Sequence, residues 1–255
     1  MDLQRYFERI GYTGDTEPTL ETLTGLHVGH TFNIPFENLS PFYGEPISLD
    51  PDALFDKLVE RERGGYCFEM NGFFAAVLQQ LGFDIIYTLV RGNFKGEFGA
   101  KMHSVLIVKI DGKHYLADVG FGNDGIPAPL LITENEPQTC FGYTYRFTKD
   151  AKYEWVLERM ESGSFLQMFA LNIEPFLPME FEIANHFTAT YPQSFFKSMR
   201  FCTKPTETGR VTLTDRHYKI VEFGVATTDR ETSDEAEFEQ LMLDVFGLNL
   251  NTVQR

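Results

Sequence analysis

Three cysteines in 255 residues, Cys67, Cys140 and Cys202, are too few and too widely spaced for a disulfide framework, and no CxxC pair offers a zinc site. The odd count leaves at least one thiol free. No apolar run reaches the roughly 18 residues that a membrane span requires, and the opening MDLQRYFERIGY is charged and amphipathic, unlike a secretory leader. The expected location is cytoplasmic. Cationic charge is scarce as well, with 22 Lys and Arg against 37 Asp and Glu and a formal net charge of -15. Such a field repels nucleic acid and anionic membrane, so neither is an expected partner, and any phosphate-bearing ligand needs a local basic patch. Lys95, Lys101, Lys197, Arg200 and Lys204 are the candidates for one, although solvated surface cations explain them better.

What the chain does have is aromatic surface to bury: 25 Phe and 11 Tyr in a sequence that is 43% apolar. This describes a globular protein with an aromatic interior. Its first third reads as helices. Leu3, Tyr6, Phe7 and Ile10 recur at helical spacing behind Asp2, and a second segment follows Pro18 and Thr19. A third opens at Asp50-Pro51 and stops at Gly64-Gly65, and a fourth runs from Cys67 to Leu81 with Gly82 as its stop. From Asp84 the period changes to strands: DIIYTLVRGNF, HSVLIVKI, KHYLADVGF, CFGYTYRF and YEWVLERM. The last third mixes a helix in MEFEIANHF, strands in SMRFCTK, GRVTLTD and HYKIVEFG, and a closing helix from Ser233. The expectation is an α+β chain with seams near 82 and 177, its middle part (83–177) a small antiparallel β-barrel.

Cys67 stands out by position. Most of a free cysteine is thiol near neutral pH, and the positive end of a helix is one of the few devices that stabilise thiolate. RGGYCFEMN places Cys67 there, with two glycines for a tight turn and first-turn amides free to hold an oxyanion. Taken alone, Cys67 fits a small buried hydrophobe better than a nucleophile. Cys140 and Cys202 have no comparable setting and read as structural.

A second constellation follows from hairpin arithmetic. Asp111-Gly112 is a strong two-residue turn signal. If Ile110 faces Lys113, paired positions sum to 223, so His103 faces Gly120 and Asp118 faces Val105. His103 and Asp118 then lie diagonally on one face, roughly 7–8 Å apart at the backbone, close enough for their side chains to meet. Gly120 would leave room above the imidazole. A histidine satisfied by a neighbouring carboxylate is the plain alternative. With Cys67 added, the three fit a nucleophile, a general base and an orienting acid. His27, His30, His114, His186 and His217 lack such a partner pattern.

At these residues the chain resembles the arylamine N-acetyltransferases over nearly its whole length. The matching motifs are IPFENL (34–39), RGGYCFEMN (63–71), the strand from His103, YLADVGFG (115–122), NHFTATYPQSFF (185–196) and TKPTETGRVTL (203–213). The resemblance implies a helical bundle (1–82), a β-barrel (83–177) and an α/β lid (178–255) around a papain-like cysteine-enzyme core. It implies a Cys67, His103, Asp118 triad that passes an acetyl group from acetyl-CoA, the cosubstrate, to an arylamine or arylhydrazine acceptor by double displacement, with no metal. It further implies Phe36, Phe121 and Phe196 around the acyl and acceptor pocket, and Arg63 with Glu37 as a buried supporting ion pair. Ser104, and the GNFKGEFGAKM run before His103, depart from the family pattern and bear on acceptor choice. Two other readings stand beside this one: a cysteine-dependent thioester or amide hydrolase of the same lineage, and a non-catalytic binding module.

Overall fold

The structure, a computed structural model, describes residues 1–94, 96–122 and 125–253. Helix α1 (Leu3–Ile10) starts at Asp2, whose carboxylate accepts the Gln4 and Arg5 N–H groups, and α2 (Leu20–Asn33) starts at Thr19 in the same manner. A two-residue strand β1 (Phe36–Glu37) and a short α3 (Leu39–Tyr43) lead to α4 (Pro51–Phe55), capped by Asp50 ahead of proline. Helix α4 widens into a π turn, Asp56–Glu60, with Lys57, Leu58 and Val59 all buried. The helix expected to reach Gly64-Gly65 therefore ends four residues early. The glycines serve close approach instead: a Cβ on Gly64 would lie 2.1 Å from the Pro35 carbonyl oxygen, and Glu37 N–H donates to the Gly65 carbonyl.

Helix α5 (Cys67–Gln80) is the spine of the first core, packing Phe73, Phe74, Val77 and Leu78 against Tyr6, Leu23, Leu26 and Leu58. Its other contacts run to the barrel strands β2 (Asp84–Phe94) and β3 (Glu97–Ile110). Strand β4 (Lys113–Ala117) pairs with β3 in the register the turn predicts, Ile110 opposite Lys113 and Leu106 opposite Ala117. The strand expected to run on through Phe121 leaves the ladder after Ala117. Strands β5 (Leu130–Leu131), β6 (Gln138–Cys140), β7 (Tyr143–Asp150), β8 (Glu154–Glu161) and β9 (Ser164–Leu171) complete an antiparallel sheet of order β5-β4-β3-β2-β9-β8-β7-β6.

Two expectations change here. CFGYTYRF is not one strand, because Phe141 and Gly142 both adopt positive φ and fold it into a hairpin. SFLQMFAL, which shows no alternation, forms β9 and pairs with both β2 and β8. Sheet edges β5 and β6 meet through one side chain: the Gln138 amide accepts the Leu131 N–H and donates to the Leu131 carbonyl. A side-chain amide thus closes the barrel where strands do not.

The last third holds α6 (Pro178–Thr190), α7 (Phe195–Ser198), strands β10 (Phe201–Thr206), β11 (Gly209–Thr214), β12 (His217–Glu222) and β13 (Val225–Glu231), and α8 (Glu235–Phe246). Helix α8 buries Phe238, Met242 and Phe246 against Cys202, Val211 and Leu213 of the sheet. That sheet is completed by β1 from the first third, with Phe36 opposite Thr203 and Glu37 opposite Cys202. Asn38 adds to the join, its amide donating to the Phe196 and Met199 carbonyls and accepting the Phe201 N–H. The chain before Cys67 and the chain after Phe195 are therefore tied across one seam.

Beneath that seam Arg63 donates through Nε and Nη2 to Glu37 Oε1 at 3.1 and 2.8 Å, with side chains 1% and 0% exposed. Burial alone opposes both charges, yet the guanidinium holds the Glu37 carboxyl below its usual range. Arg63→Met is expected to cost about 3–5 kcal/mol in urea unfolding, because it strands a buried carboxylate, and Arg63→Met with Glu37→Leu to recover most of it. A loss under about 1 kcal/mol for the single change would show that the pair does not brace this turn.

Candidate active site

Cys67 is the first residue of α5, set up by local chemistry. Glu69, at the third helical position, accepts the Tyr66 N–H at 3.1 Å, which is half of a capping box. Lys57 Nζ meets the other Glu69 oxygen at 2.6 Å and donates to Ser40 Oγ at 2.9 Å. The turn ahead of the cysteine thus rests on two buried ion pairs that share Ser40, which Arg63 also reaches at 3.3 Å.

Across from α5, His103 Nε2 lies 2.7 Å from Asp118 Oδ2, and Cys67 lines the same cavity as the ring, its sulfur among the influences that raise the imidazole pKa. With Nε2 taken by the acid, Nδ1 is the nitrogen left for sulfur. The pair forms, but not by the ladder that the arithmetic extended to it. Pairing stops at Ala117, and Gly120 faces the Cys67 helix rather than the imidazole: a Cβ there would lie 2.8 Å from Cys67 Cα and 2.9 Å from Asn71 Nδ2. Glycine at 120 lets the acid-bearing loop lie directly on the first turn of α5.

Asp118 is wholly buried and fully bonded. Its Oδ1 accepts from Asn71 Nδ2 at 2.8 Å and from Gly120 N–H at 2.9 Å, while Oδ2 faces His103. Asn71 also donates to the Ser104 carbonyl at 2.7 Å, and the Ser104 hydroxyl returns to the Cys67 carbonyl at 3.0 Å. Ser104, noted above only as a departure, therefore clamps the histidine strand to the cysteine helix.

Cys67 and His103 open on a cavity of about 470 Å³ walled by Phe36, Phe121, Phe196, Met102, Phe195 and Phe201. Phe121 meets the imidazole edge to face, centroids 4.9 Å apart. Among the described residues no group of three His, Cys, Asp or Glu is placed to hold a metal ion, and no helix is long and apolar enough to cross a membrane.

A family model described as N-acetyltransferase matches residues 19–255. The Escherichia coli K12 arylamine N-acetyltransferase is 32% identical over 252 residues, covering 98% of this chain and 89% of that protein. The chain belongs to the arylamine N-acetyltransferase family. A Salmonella typhimurium relative, named arylamine N-acetyltransferase / N-hydroxyarylamine O-acetyltransferase, is 32% identical over 99% of this chain and 90% of its own length. The structure of the Mycobacterium marinum arylamine N-acetyltransferase in complex with CoA superposes with a TM-score of 0.94 at 32% identity, covering 100% of this chain and 95% of that one. A cysteine-bearing helix laid against a barrel is the papain-like core that the family shares.

Within this arylamine N-acetyltransferase fold, the reading by residue pattern missed four contributors. Asn71, Ser104, Lys57 and Glu69 carry no nucleophile signature, and only their contacts reveal them. It also passed over three histidines. His27 accepts the Asp118 N–H at 3.1 Å, His30 Nδ1 meets the Tyr6 hydroxyl at 3.0 Å, and His217 pairs with Asp229 on the surface. Of the cations considered for phosphate, Lys101 is engaged by Glu174, Arg200 by Asp215 and Glu235, and Lys197 by the Pro41 carbonyl. Lys95 lies outside the described residues.

Charge at the site has a definite sign. Burial disfavours an imidazolium, but the Asp118 carboxylate and its hydrogen bond, with a smaller influence from the Cys67 sulfur, push His103 up to about 10. Burial likewise disfavours the carboxylate, and His103, Asn71 and the Gly120 N–H outweigh it to hold Asp118 below its usual range. A raised histidine pKa stabilises the fold fully below the unfolded value of about 6.5, and that contribution fades as pH rises through the folded value. NMR of the His103 ring nitrogens should accordingly show both protonated through neutral pH, with the second proton leaving near pH 10. Loss of that proton near pH 6.5 would mean that Asp118 does not govern the ring.

Proposed function

We propose that this chain transfers an acetyl group from acetyl-CoA to an arylamine, arylhydrazine or related acceptor through an acetyl thioester on Cys67. The observation that carries this reading is that the hydrogen-bonded His103–Asp118 pair and Cys67 meet on the wall of one aromatic cavity. Residues 1–82 present the nucleophile, 83–177 the imidazole and the acid, and 178–255 part of the pocket wall. A cytoplasmic location belongs to the same reading, supported by three free cysteines and a cytosolic acyl donor.

As Cys67 reacts, its proton resides on the His103 ring. The sulfur attacks the thioester carbonyl, and the Cys67 and Phe68 N–H groups that open α5 take the developing oxyanion, the Glu69 N–H being already given to the Tyr66 carbonyl. The carbon–sulfur bond to CoA breaks, and His103 gives its proton to the departing CoA thiolate. The acceptor amine then attacks acetyl-Cys67, His103 removes the amine's proton, and the Cys67 thiolate leaves. Asp118 stays anionic throughout, holding the ring in one orientation and offsetting its charge.

Phe36, Phe121 and Phe196 supply flat apolar walls suited to a flat aromatic acceptor. The same walls disfavour bulk water at the thioester, which separates transfer from hydrolysis. With acetyl-CoA alone, CoA release is expected to stop near one equivalent per enzyme and to resume when an arylamine is added, with Asp118→Asn lowering the rate by about 10⁴-fold on an intact fold. Continuous CoA release indifferent to amine would make the enzyme a hydrolase instead.

A further inference from the structure

We propose that His27, a buried residue of α2 outside the reacting set, is a positioning residue that holds the Asp118 peptide so that its carboxylate meets His103. The inference rests on the role given to Asp118 above. Where β4 leaves the barrel ladder at Ala117, three successive amides lose any strand partner, and each is taken by a side chain. Asp118 N–H donates to His27 Nε2 at 3.1 Å, Val119 N–H to Asn71 Oδ1 at 2.9 Å, and Gly120 N–H to Asp118 Oδ1 at 2.9 Å. Asn71 reaches them from α5, the helix of the nucleophile. His27 alone reaches them from α2, fixing the loop against a second, independent element.

The bond dictates the state of the ring. An imidazole nitrogen that accepts an N–H carries no proton, so His27 must be neutral with its hydrogen on Nδ1. Its surroundings agree: the ring is fully buried, edge-on to Phe74 with centroids 5.9 Å apart. Burial, which outweighs the nearby Asp118 charge, pushes it down to about 4. Nδ1 is buried without a bond of full hydrogen-bond geometry and faces the Pro127 carbonyl. The ring therefore borders both the start and the end of the segment from Asp118 to Pro127, which includes Phe121 of the cavity wall. His27 touches no reacting atom, so its influence passes through Asp118.

Two substitutions in the full chain separate positioning from packing. Leucine fills much of the ring's volume without an acceptor, whereas glutamine restores an acceptor near the place of Nε2. His27→Leu is expected to slow single-turnover acetylation of Cys67 by about tenfold or more with acetyl-CoA affinity unchanged, since small misplacements of a catalytic group carry costs of this order. It should also move the loss of the His103 ring proton from about pH 10 toward the free-histidine value of about 6.5. His27→Gln should regain most of both. In the unaltered protein, NMR should detect a scalar coupling across the hydrogen bond between the Asp118 amide and His27 Nε2, a readout that does not depend on any variant folding. A folded His27→Leu enzyme with unchanged acetylation and an unchanged His103 titration, a His27→Gln variant no better than leucine, or absence of that coupling would overturn the proposal. If Asp118→Asn were also without effect, the fault would lie in the role of Asp118 itself.

Discussion

A carboxylate sealed from water is the constraint on which this structure depends. Asp118 has no exposed surface, and an anion in that position is tolerable only if every oxygen is engaged. Two neutral donors, the Asn71 amide and the Gly120 N–H, take one oxygen, and His103 takes the other. Because the neutral donors carry no charge, the balancing cation has to be the imidazole, and a histidine with a persistent proton beside a sulfur follows from that demand. The aromatic wall then isolates the assembly from bulk water while leaving the sulfur open to the cavity.

The cysteine is held to the same tolerance by other means. Its helix begins on a turn that carries two buried acid–base pairs, Glu37 with Arg63 and Glu69 with Lys57, bridged through Ser40. Two glycines permit the contacts that make this turn compact. At Gly64 the chain lies against the Pro35 carbonyl, and at Gly120 the acid-bearing loop lies against the Cys67 backbone. Side chains at these sites would separate Cys67 from His103 and Asp118 before any charge was altered. Ser104 and Asn71 then lock the histidine strand to the cysteine helix, so the relative position of sulfur and ring depends on rigid elements rather than loops.

Much of this was legible in residue order because the signals were local. Asp2, Thr19 and Asp50 announced their helices through cap chemistry, and Asp111-Gly112 set the β3–β4 register that brings residues 103 and 118 near one another. Local signals failed where tertiary contact decided the outcome. Gly64-Gly65 resembled a helix stop, but its conformation answers to Pro35 and Glu37, farther away in sequence than the roughly 11–18 residues over which a periodic pattern is read. Strand β9 gave no alternation, since its first half is largely exposed and its second half continuously buried, and its place in the sheet is set by β2 and β8. The same holds for His27, whose partner is 91 positions away and is a backbone group with no sequence signature at all.

The central claim is that the convergence of Cys67, His103 and Asp118 makes this particular sulfur the carrier of the acetyl group. Trapping the enzyme after brief exposure to acetyl-CoA without acceptor, followed by peptide mapping by mass spectrometry, addresses that claim at the level of atoms. The account predicts a single acetyl group on the peptide containing Cys67, absent from those containing Cys140 and Cys202, and discharged when an arylamine is supplied. Turnover without any such adduct, or acetyl on another residue with Cys67 unmodified, would contradict it.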